Sequence, residues 1–449
     1  METPILDDVL VQLRDALEKD DLATAAAIIE ALRPPDQADL FTELDDEDQV
    51  ALLPKLNPAD SADILEEMDN EEAAELVAAL STEAIIRIVD EMEPDEAADL
   101  LGDIHPQQAQ EVLAGLEDPE EVRPLLLHPD DSAGGLMTSE FLALRRRMTA
   151  GEAIRALREW RPEDEAIYYL FVIDRIGRLC GVVSLRHLVL AETETPLENI
   201  MDPEVISVQV GTDQEECARL MTRYDLLALP VVDADGVLLG IITIDDVVDV
   251  LEEETTEDIQ RLGGALPLGR SYLDTGVGTV AWKRIGWLLL LFLTATLTGS
   301  VMLLFQDELQ AVVALAVFIP LLIGTGGNAG SQTTATIIRA LATGDIDTGD
   351  ALRVFWHEVG VGLVLGLGMA AAAFVRAITW EPDRELALTV SASILAIVLW
   401  ANGVGSLLPL LAARFRIDPT VVSGPVMSTV VDATGLFIYF SIARFMLGL

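Results

Sequence analysis

Apolar residues recur every twelve positions through residues 34–116 of the chain. In each of seven units they occupy positions i, i+1 and i+4, which is a helical stripe rather than the alternation of a strand. The three apolar columns begin at Leu40, Phe41 and Leu44. Helices of about two turns are unstable alone, so successive units must stack on one another. The pattern predicts a helical superhelix with one continuous apolar core and a carboxylate-rich outer surface.

The expected helix starts recur with the same period. Six residues before each first-column position stands a proline, an acid, Asn or Thr, at Pro34, Asp46, Pro58, Asn70, Thr82, Pro94 and Pro106. Proline suits the first helical position, and four of the starts directly follow good N-cap residues, namely Asp45, Asn57, Asp69 and Ser81. We therefore expect each unit to be a short helix followed by a corner.

Two related segments follow, at residues 170–190 and 229–251. Each has the pattern of a buried strand, a tight Asp-x-x-Gly turn, a second strand and a helix. The matching positions are Asp174, Gly177, Gly181 and Ser184 in the first segment and Asp233, Gly236, Gly240 and Thr243 in the second. This duplication resembles a tandem pair of cystathionine β-synthase (CBS) domains.

The CBS resemblance implies a nucleotide site in the second copy. In that family a Thr/Ser-x-x-Asp turn after the second strand often holds the ribose of an adenine nucleotide, and the second copy keeps Thr243 and Asp246. The first copy has Ser184 but carries His187 in place of the acid. ATP is therefore expected as a regulatory ligand of the second copy. A helix cap made by Thr243, with Asp246 in the first turn, is the alternative that needs no ligand.

The C-terminal part of the chain has a different pattern. It contains five nearly uncharged stretches, at about residues 285–305, 311–338, 359–375, 386–413 and 421–443. A bilayer takes about 17 to 25 residues to span, so five membrane helices are predicted. The N-terminus lacks the basic and apolar regions of a signal peptide and is expected in the cytoplasm. An odd number of spans then places the C-terminus outside, which agrees with more basic residues on the inner side.

Charge divides the chain in the same way. Acidic residues number 76 against 28 basic ones, a net charge of −48, and residues 1–270 hold 64 of the acids with 19 of the bases. Nucleic acid is excluded as a partner, because phosphate binding needs clustered Lys and Arg. An acidic, Lys-poor surface also suits a salty cytosol, so a single carboxylate is weak support for a site. Cys180 and Cys217 are too few for a disulfide framework.

One acid, Asp432, lies at the midpoint of the fifth stretch, where an ionised carboxylate costs about 2.5 to 3.5 kcal/mol on insertion scales. The stretches contain no lysine or arginine to neutralise it, so we expect a cation there. Ser428, Thr429 and Asn328 supply further oxygens, and a hard oxygen environment suits Mg2+ or Ca2+. The glycines of residues 324–332 predict a break in the second membrane helix beside a wet cavity; close helix packing is the alternative.

Several features together resemble the MgtE-type magnesium channels over nearly the whole chain. They are the acidic helical N-terminal region, the tandem CBS segments, GGNAGSQ in the second stretch and GPVMSTVVDATG in the fifth. The resemblance implies a homodimer whose pore is built from the second and fifth helices, with Asp432 of both subunits at the selectivity site. It also implies that cytosolic Mg2+ bridges acids of the N-terminal and CBS domains and closes the gate. The matching sensor positions are Glu91, Asp95, Asp225, Asp246, Asp249, Glu254 and Asp258, with Asp418 at the inner mouth.

The sequence thus predicts a multidomain protein with an all-α superhelical N-domain, α/β tandem CBS domains and a five-helix α-helical transmembrane domain. The predicted ranges are 1–130 for the N-domain, 131–196 and 197–252 for the CBS domains, 245–270 for a connecting helix and 271–449 for the transmembrane domain. A charged spacer is the alternative for the connecting helix.

We expect a Mg2+-selective, Mg2+-gated channel for magnesium uptake. It is expected in the plasma membrane, which is the inner membrane in a cell that also has an outer membrane. The expected partners are membrane lipid and a second copy of the chain. An enzyme is not expected, because no catalytic constellation has a recognisable spacing. No lysine follows a glycine, so the chain has no P-loop. A coupled secondary transporter or exporter of divalent cations, Mg2+ or Co2+, is the alternative.

Overall fold

The structure is a computed structural model that describes residues 3–160, 169–268, 272, 275–421 and 424–449. The chain divides into two compact units, Met1–Glu254 and Thr255–Leu449. Four of the five predicted domain ranges include residues outside the described part, namely 1–2, 161–168, 269–271, 273–274 and 422–423.

The first unit begins with a row of short helices. Helices α1 (Thr3–Glu18) and α2 (Leu22–Ile29) come first. The next seven, α3 to α9, are Pro34–Thr42, Asp46–Leu52, Pro58–Glu66, Asn70–Ala78, Thr82–Val89, Pro94–Asp103 and Pro106–Leu113. All seven begin at the predicted residue, because the first turn is set locally by proline or a capping position. Alternate helices pack together, α3 on α5 and α6 on α8 for example, as in a stacked superhelix.

The apolar columns form the core of this helical region. Leu52, Ile64 and Val77, which come from different units, have no exposed surface. Leu113 and Met92, near the C-terminal end of the repeat, are only partly buried against the same core. The all-α fold predicted for the N-terminal region is confirmed.

The corners between helices are held partly by acidic side chains. Asp69 caps α6 by accepting a hydrogen bond from the backbone N–H of Glu71 over 3.1 Å, whereas Asp45, Asn57 and Ser81 occupy cap positions without such a bond. At three corners a carboxylate from 27 residues earlier accepts a backbone N–H, in the pairs Glu30–Asn57 (2.8 Å), Glu66–Glu93 (2.9 Å) and Asp90–Glu117 (2.8 Å). Some of the acidic side chains of this region therefore stabilise its helix corners.

Two small sheets of the same topology follow α10 (Pro119–Val122). The first comprises β1 (Ala143–Arg145), β2 (Tyr169–Ile173) and β3 (Leu179–Ser184), with helices α11 (Ala150–Trp160) and α12 (Leu185–Leu190). The second comprises β4 (Val208–Gln209), β5 (Ala228–Val232) and β6 (Leu238–Thr243), with α13 (Gln214–Tyr224) and α14 (Ile244–Leu262). In both sheets the first strand is parallel to the second, and the second is antiparallel to the third.

The duplicated turns have the geometry that their sequence predicts. Asp174 and Asp233 each accept backbone N–H bonds from the residues two and four positions later. Gly177 (φ 88°) and Gly236 (φ 81°) are left-handed, a conformation that glycine adopts without a steric cost. Reciprocal backbone bonds join the two copies, from Leu179 to Gly236 (3.0 Å) and from Leu238 to Gly177 (3.1 Å). The predicted tandem α/β architecture is confirmed.

The second unit contains the membrane helices. In the part of the chain that is described, five helices are long and apolar enough to cross a membrane. They are α15 (Val277–Leu304), α17 (Ala314–Ala342), α18 (Ala351–Trp380), α19 (Arg384–Arg414) and α20 (Gly424–Leu447), and the short α16 (Gln306–Ala311) follows α15. Helix α18 begins before the predicted residue 359, so it includes Glu358. Helix α14 ends at Leu262, before a left-handed Gly264 (φ 75°).

The predicted break in the second membrane helix is wrong. Helix α17 continues unbroken through residues 324–332. Its glycines form a packing surface instead, since a Cβ added to Gly326 would lie 2.8 Å from Val431 of α20. A Cβ on Gly405 of α19 would lie 2.9 Å from the carbonyl oxygen of Gly330. Close packing of membrane helices explains the glycine cluster.

Candidate ion pathway and cation-sensing residues

Four acidic side chains of the first unit form a group that we call the carboxylate cluster: Asp95, Glu96 and Asp99 of α8, and Asp246 of α14. Helix α8 begins at Pro94, which sets its three acids at positions i, i+1 and i+4 of one face. Asp95 is only 5% exposed, and its Oδ1 has no hydrogen-bond partner among the described residues. Buried carboxylates with few partners are poorly stabilised in their ionised form.

Ionisation of the carboxylate cluster is costly. Burial, reinforced by the charge of Asp246, raises the pKa of Asp95 well above its usual range. Burial and the nearby charge of Asp99 raise the pKa of Glu96 to about 8, and burial with the charge of Asp130 raises the pKa of Asp99 to about 7. Burial raises the pKa of Asp246 itself to about 6. A divalent cation placed here would relieve this repulsion and displace protons.

Two of the predicted sensor residues, Asp95 and Asp246, therefore come together in the structure. A third, Asp249, lies one turn after Asp246, and burial together with the charge of Asp245 raises its pKa. Glu96 and Asp99 were not predicted from the sequence, although their places on the same face as Asp95 follow from the register of α8. In the described residues, no group of three or more His, Cys, Asp or Glu side chains is arranged to hold a metal ion. The cluster is thus a set of hard donors rather than a closed coordination shell.

The other predicted sensor residues lie in different surroundings. Glu91 is exposed after α7, and Asp225 is exposed in a left-handed conformation (φ 52°) at the end of α13. Glu254 accepts a hydrogen bond from Gln214 over 2.8 Å. Asp258 is partly buried on α14.

The predicted nucleotide residues hydrogen-bond to each other. The hydroxyl of Thr243 donates to Oδ2 of Asp246 over 2.5 Å, and the backbone N–H of Thr243 donates to the same oxygen over 3.2 Å. Ser184 of the first copy accepts a bond from the N–H of His187 over 3.2 Å, which is an N-cap, and His187 is exposed. The bond of Ser184 is that of a helix cap, whereas Thr243 of the second copy acts as a donor to the first turn of α14.

Asp432 lies near the middle of α20 in the second unit. Its Oδ1 is buried and has no hydrogen-bond partner among the described residues. Ser428, one turn earlier, lies against α17, with its Oγ 3.3 Å from Oγ of Ser331. A Cβ added to Gly327 would lie 3.3 Å from the Ser428 oxygen, so a glycine at that position permits this approach.

The remaining predicted pore oxygens differ in availability. Asn328 of α17 is exposed in the single chain. The hydroxyl of Thr429 donates to the carbonyl oxygen of Pro425 over 3.0 Å, so its proton is used within α20 while its lone pairs can still accept or coordinate.

Asp418, predicted at the inner mouth, lies between α19 and α20 and forms an ion pair. Its Oδ2 is 2.6 Å from a guanidinium nitrogen of Arg261, and its Oδ1 accepts the N–H of Thr420 over 2.8 Å. Arg261, in the last turn of α14, also pairs with Glu257. The pair connects the end of α14 to the segment that leads into α20.

A buried acid that was not predicted from the sequence is Glu358 of α18, which is 9% exposed. Thr333 of α17 and Asn402 of α19 both donate hydrogen bonds to its Oε2. The signal that could have found it is the helical register, which continues from the apolar stretch back through residues 351–358.

Comparison with known proteins identifies the family. Three family models match: MgtE intracellular N domain at residues 32–131, CBS domain at 133–194 and 197–253, and divalent cation transporter at 319–442. The magnesium transporter MgtE of Thermus thermophilus is 47% identical over 327 residues, which cover 73% of this chain and 72% of that protein.

The chain belongs to the MgtE family of magnesium transporters.

Two further comparisons support this membership. The magnesium transporter MgtE of Bacillus subtilis is 34% identical over 72% of this chain and 71% of that protein. A solved structure described as the cytosolic domain of the Mg2+ channel MgtE in complex with ATP is 40% identical, with a TM-score of 0.51. It covers 54% of this chain and 99% of that structure. Magnesium transport across a membrane, rather than enzyme catalysis, is thus the function of the family to which the chain belongs.

Proposed function

We propose that this MgtE protein is a passive, Mg2+-selective channel for magnesium uptake that cytosolic Mg2+ closes. The observation that carries the proposal is Asp432 of a membrane helix, whose Oδ1 is buried and has no hydrogen-bond partner among the described residues. A related structure described as that of a Mg2+ channel supports a channel mechanism. Passive influx needs no coupled ion, because an inward membrane potential supplies about 2.3 kcal/mol per charge per 100 mV, and twice that for a divalent ion.

The selectivity site is proposed to form in a homodimer, where Asp432 is present twice. Two carboxylates neutralise one divalent ion, while a monovalent ion gains about half the Coulomb attraction. Asn328, Ser428 and Thr429 contribute neutral oxygens around the passage. Magnesium releases its water reluctantly, so these groups are proposed to bind the hydrated ion loosely enough for it to pass.

Closure is proposed to follow from Mg2+ binding at the carboxylate cluster and the other predicted sensor acids, Glu91, Asp225, Asp249, Glu254 and Asp258. The raised pKa values of Glu96, Asp99 and Asp246 support this, because the compact unit is under electrostatic repulsion that a divalent cation relieves. Preferential binding to the compact form links closure to cytosolic Mg2+.

Helix α14 is proposed to transmit the sensor state to the pore. It begins with Asp246 of the cluster, and Arg261 in its last turn pairs with Asp418. Asp418 precedes α20, so a shift of α14 would act on the helix that carries Asp432. The continuous helix and this ion pair favour a mechanical connection over a charged spacer.

ATP is proposed as a regulatory ligand at Thr243 and Asp246, because the related cytosolic domain was solved in complex with ATP. Binding would have to compete with the hydrogen bonds that these two residues make to each other. The protein is proposed to lie in the plasma membrane, surrounded by lipid, with its N-terminal and CBS domains in the cytoplasm and its C-terminus outside.

Current recorded from the purified full-length protein in a planar bilayer tests the proposed channel. Single openings far above transporter turnover rates, with a higher permeability to Mg2+ than to Na+ and no dependence on a proton or sodium gradient, are the expected result. Mg2+ flux that stops when the proton or sodium gradient is removed would support coupled transport instead.

A further inference from the structure

Glu358 is a buried acid of the membrane unit that the proposed pore does not use. Two helices send polar side chains to one of its oxygens: Oγ1 of Thr333 donates to Oε2 over 3.2 Å, and Nδ2 of Asn402 donates to the same Oε2 over 3.4 Å. Nδ1 of His357, on the same helix, lies 3.7 Å from Oε1. A single oxygen atom thus joins α17, α18 and α19.

The helices at this junction are packed too closely to reorganise freely. A Cβ on Gly362 of α18 would lie 3.2 Å from Cβ of Asn402. Thr334, next to Thr333, donates to the carbonyl oxygen of Gly405 over 3.3 Å. In a membrane, helices are held by such close packing and by hydrogen bonds between them, since apolar surface alone does not favour one rotation over another. The bond from Thr333 to Glu358, together with the bond from Thr334 to Gly405, therefore holds α17 in one rotation.

Helix α17 also carries the proposed pore residues. At a rise of about 1.5 Å per residue, Thr333 lies about 3 Å along the axis from Ser331 and about 7.5 Å from Asn328. Ser331 in turn donates to the carbonyl oxygen of Gly424 over 3.2 Å and lies beside Ser428 of α20. A rotation of α17 at Thr333 would therefore move Asn328 and disturb the contact between α17 and α20.

We propose that Glu358 is a positioning residue for ion passage, which holds Asn328 and Ser331 in place through its bond to Thr333. The proposal rests on the proposed pore. The role requires an acceptor oxygen rather than a charge, because both bonds that reach Oε2 come from neutral donors. A glutamine keeps one such oxygen at the same distance from the backbone, so it can accept both bonds.

The test uses the full-length protein in planar bilayers. The measurements are the half-saturating Mg2+ concentration and the ratio of Mg2+ to Na+ permeability. Glu358→Leu and Thr333→Val remove the bond from either side, and each should change at least one of these quantities by threefold or more. The double variant should be no worse than the more affected single variant, because both substitutions break one interaction. Glu358→Gln should restore wild-type values.

Thr336→Val is the matched control, since the hydroxyl of Thr336 donates within α17 to the carbonyl oxygen of Gln332. If Glu358→Leu does not assemble, Thr333→Val carries the test alone. Wild-type half-saturation and permeability ratio in assembled Thr333→Val would overturn the proposal, as would a Glu358→Gln variant as impaired as Glu358→Leu. Asp432→Asn, measured in parallel, separates the two hypotheses: wild-type selectivity there overturns the pore assignment itself.

Discussion

At the residue scale, the carboxylates of Glu358 and Asp432 differ in what surrounds them. Oε2 of Glu358 accepts hydrogen bonds from two neighbouring helices, whereas Oδ1 of Asp432 is buried without a partner in the described part of the chain. Leaving a buried acceptor unpaired is costly, so it persists where a ligand supplies the missing interaction. This contrast assigns a helix-joining role to Glu358 and favours an ion-binding role for Asp432.

Substitution of Asp432 by Asn should abolish selective Mg2+ conduction. Asn keeps the size of the side chain and removes the charge, and one charge pair about 4 Å apart contributes about 4 kcal/mol at an effective dielectric of 20. Mg2+ current at a fixed concentration should fall by roughly 100-fold or more, with residual current carried by monovalent ions. Asp345→Asn, in the exposed loop after α17, is the control and should conduct normally. Wild-type selectivity in Asp432→Asn would show that the acid is structural.

At the scale of elements, local signals were predicted well and tertiary ones were not. Helices α3 to α9 begin at their predicted residues, because the apolar stripe and, in four of the seven, a proline at the first position act within one turn. The break expected at residues 324–332 did not occur, since neighbouring helices use those glycines for contact. Glu358 was missed because it lies just outside the uncharged stretch, and its burial depends on Thr333 and Asn402 from other helices.

In the candidate site, too, features set by the local sequence were predicted and features that depend on tertiary contacts were not. Asp432 could be predicted because its depth in an apolar stretch is visible in the sequence. Asp95 and Asp246 were named only through the family resemblance. Glu96 and Asp99 could not be predicted, because 64 acidic residues crowd the first 270 positions and only folding places α8 near the start of α14. Glu66 and Asp90 resemble sensor acids in sequence, yet they hold helix corners.

Two equivalent N-cap acids of the repeat should differ in their effect on stability. Asp69 accepts a backbone bond at the start of α6, whereas Asp45 occupies the same position before α4 without one. Asp69→Ala should lower the free energy of unfolding of residues 1–254 by about 1 kcal/mol, a typical value for a lost cap. Asp45→Ala is the matched control and should change it by less than about 0.5 kcal/mol. Urea titration measures both, and equal losses would contradict the assignment.

At the scale of the whole molecule, the carboxylate cluster makes the cytosolic unit sensitive to pH. Acids whose pKa rises on folding stabilise the folded form below their ordinary pKa and lose that contribution as pH rises through the raised value. For Asp246, Asp99 and Glu96 this window extends from about 4 to about 6, 7 and 8. Without Mg2+, the Tm of residues 1–254 should therefore fall between pH 5.5 and pH 8.5.

Mg2+ should reduce the fall in Tm, because a bound cation neutralises the carboxylates that protons neutralise at low pH. Thermal melts with chelator and with millimolar Mg2+ at both pH values measure the effect. Asp246→Asn should flatten the profile recorded without Mg2+, whereas Glu47→Gln, at an exposed site, should leave it unchanged. If Tm falls by the same amount with and without Mg2+, the acids with raised pKa values do not bind the cation.

Removal of residues 1–130 should leave a channel that stays open at high internal Mg2+. The deletion takes away three of the four cluster acids, so Mg2+ can no longer bridge α8 to Asp246. General screening of a region with 64 acidic and 19 basic residues is the competing explanation, and it predicts that any salt of equal ionic strength also acts on the gate.

A point variant separates bridging from loss of the domain. In full-length protein with Asp95→Asn, Glu96→Gln and Asp99→Asn, the helical region remains but its donors on α8 lose their charge. Open probability in excised patches should then lose most of its dependence on internal Mg2+, as in the deletion, while Na+ at matched ionic strength leaves the wild type open. If the triple variant closes at the same Mg2+ concentration as the wild type, the cation acts elsewhere, and the acids of α8 belong to the solvated surface.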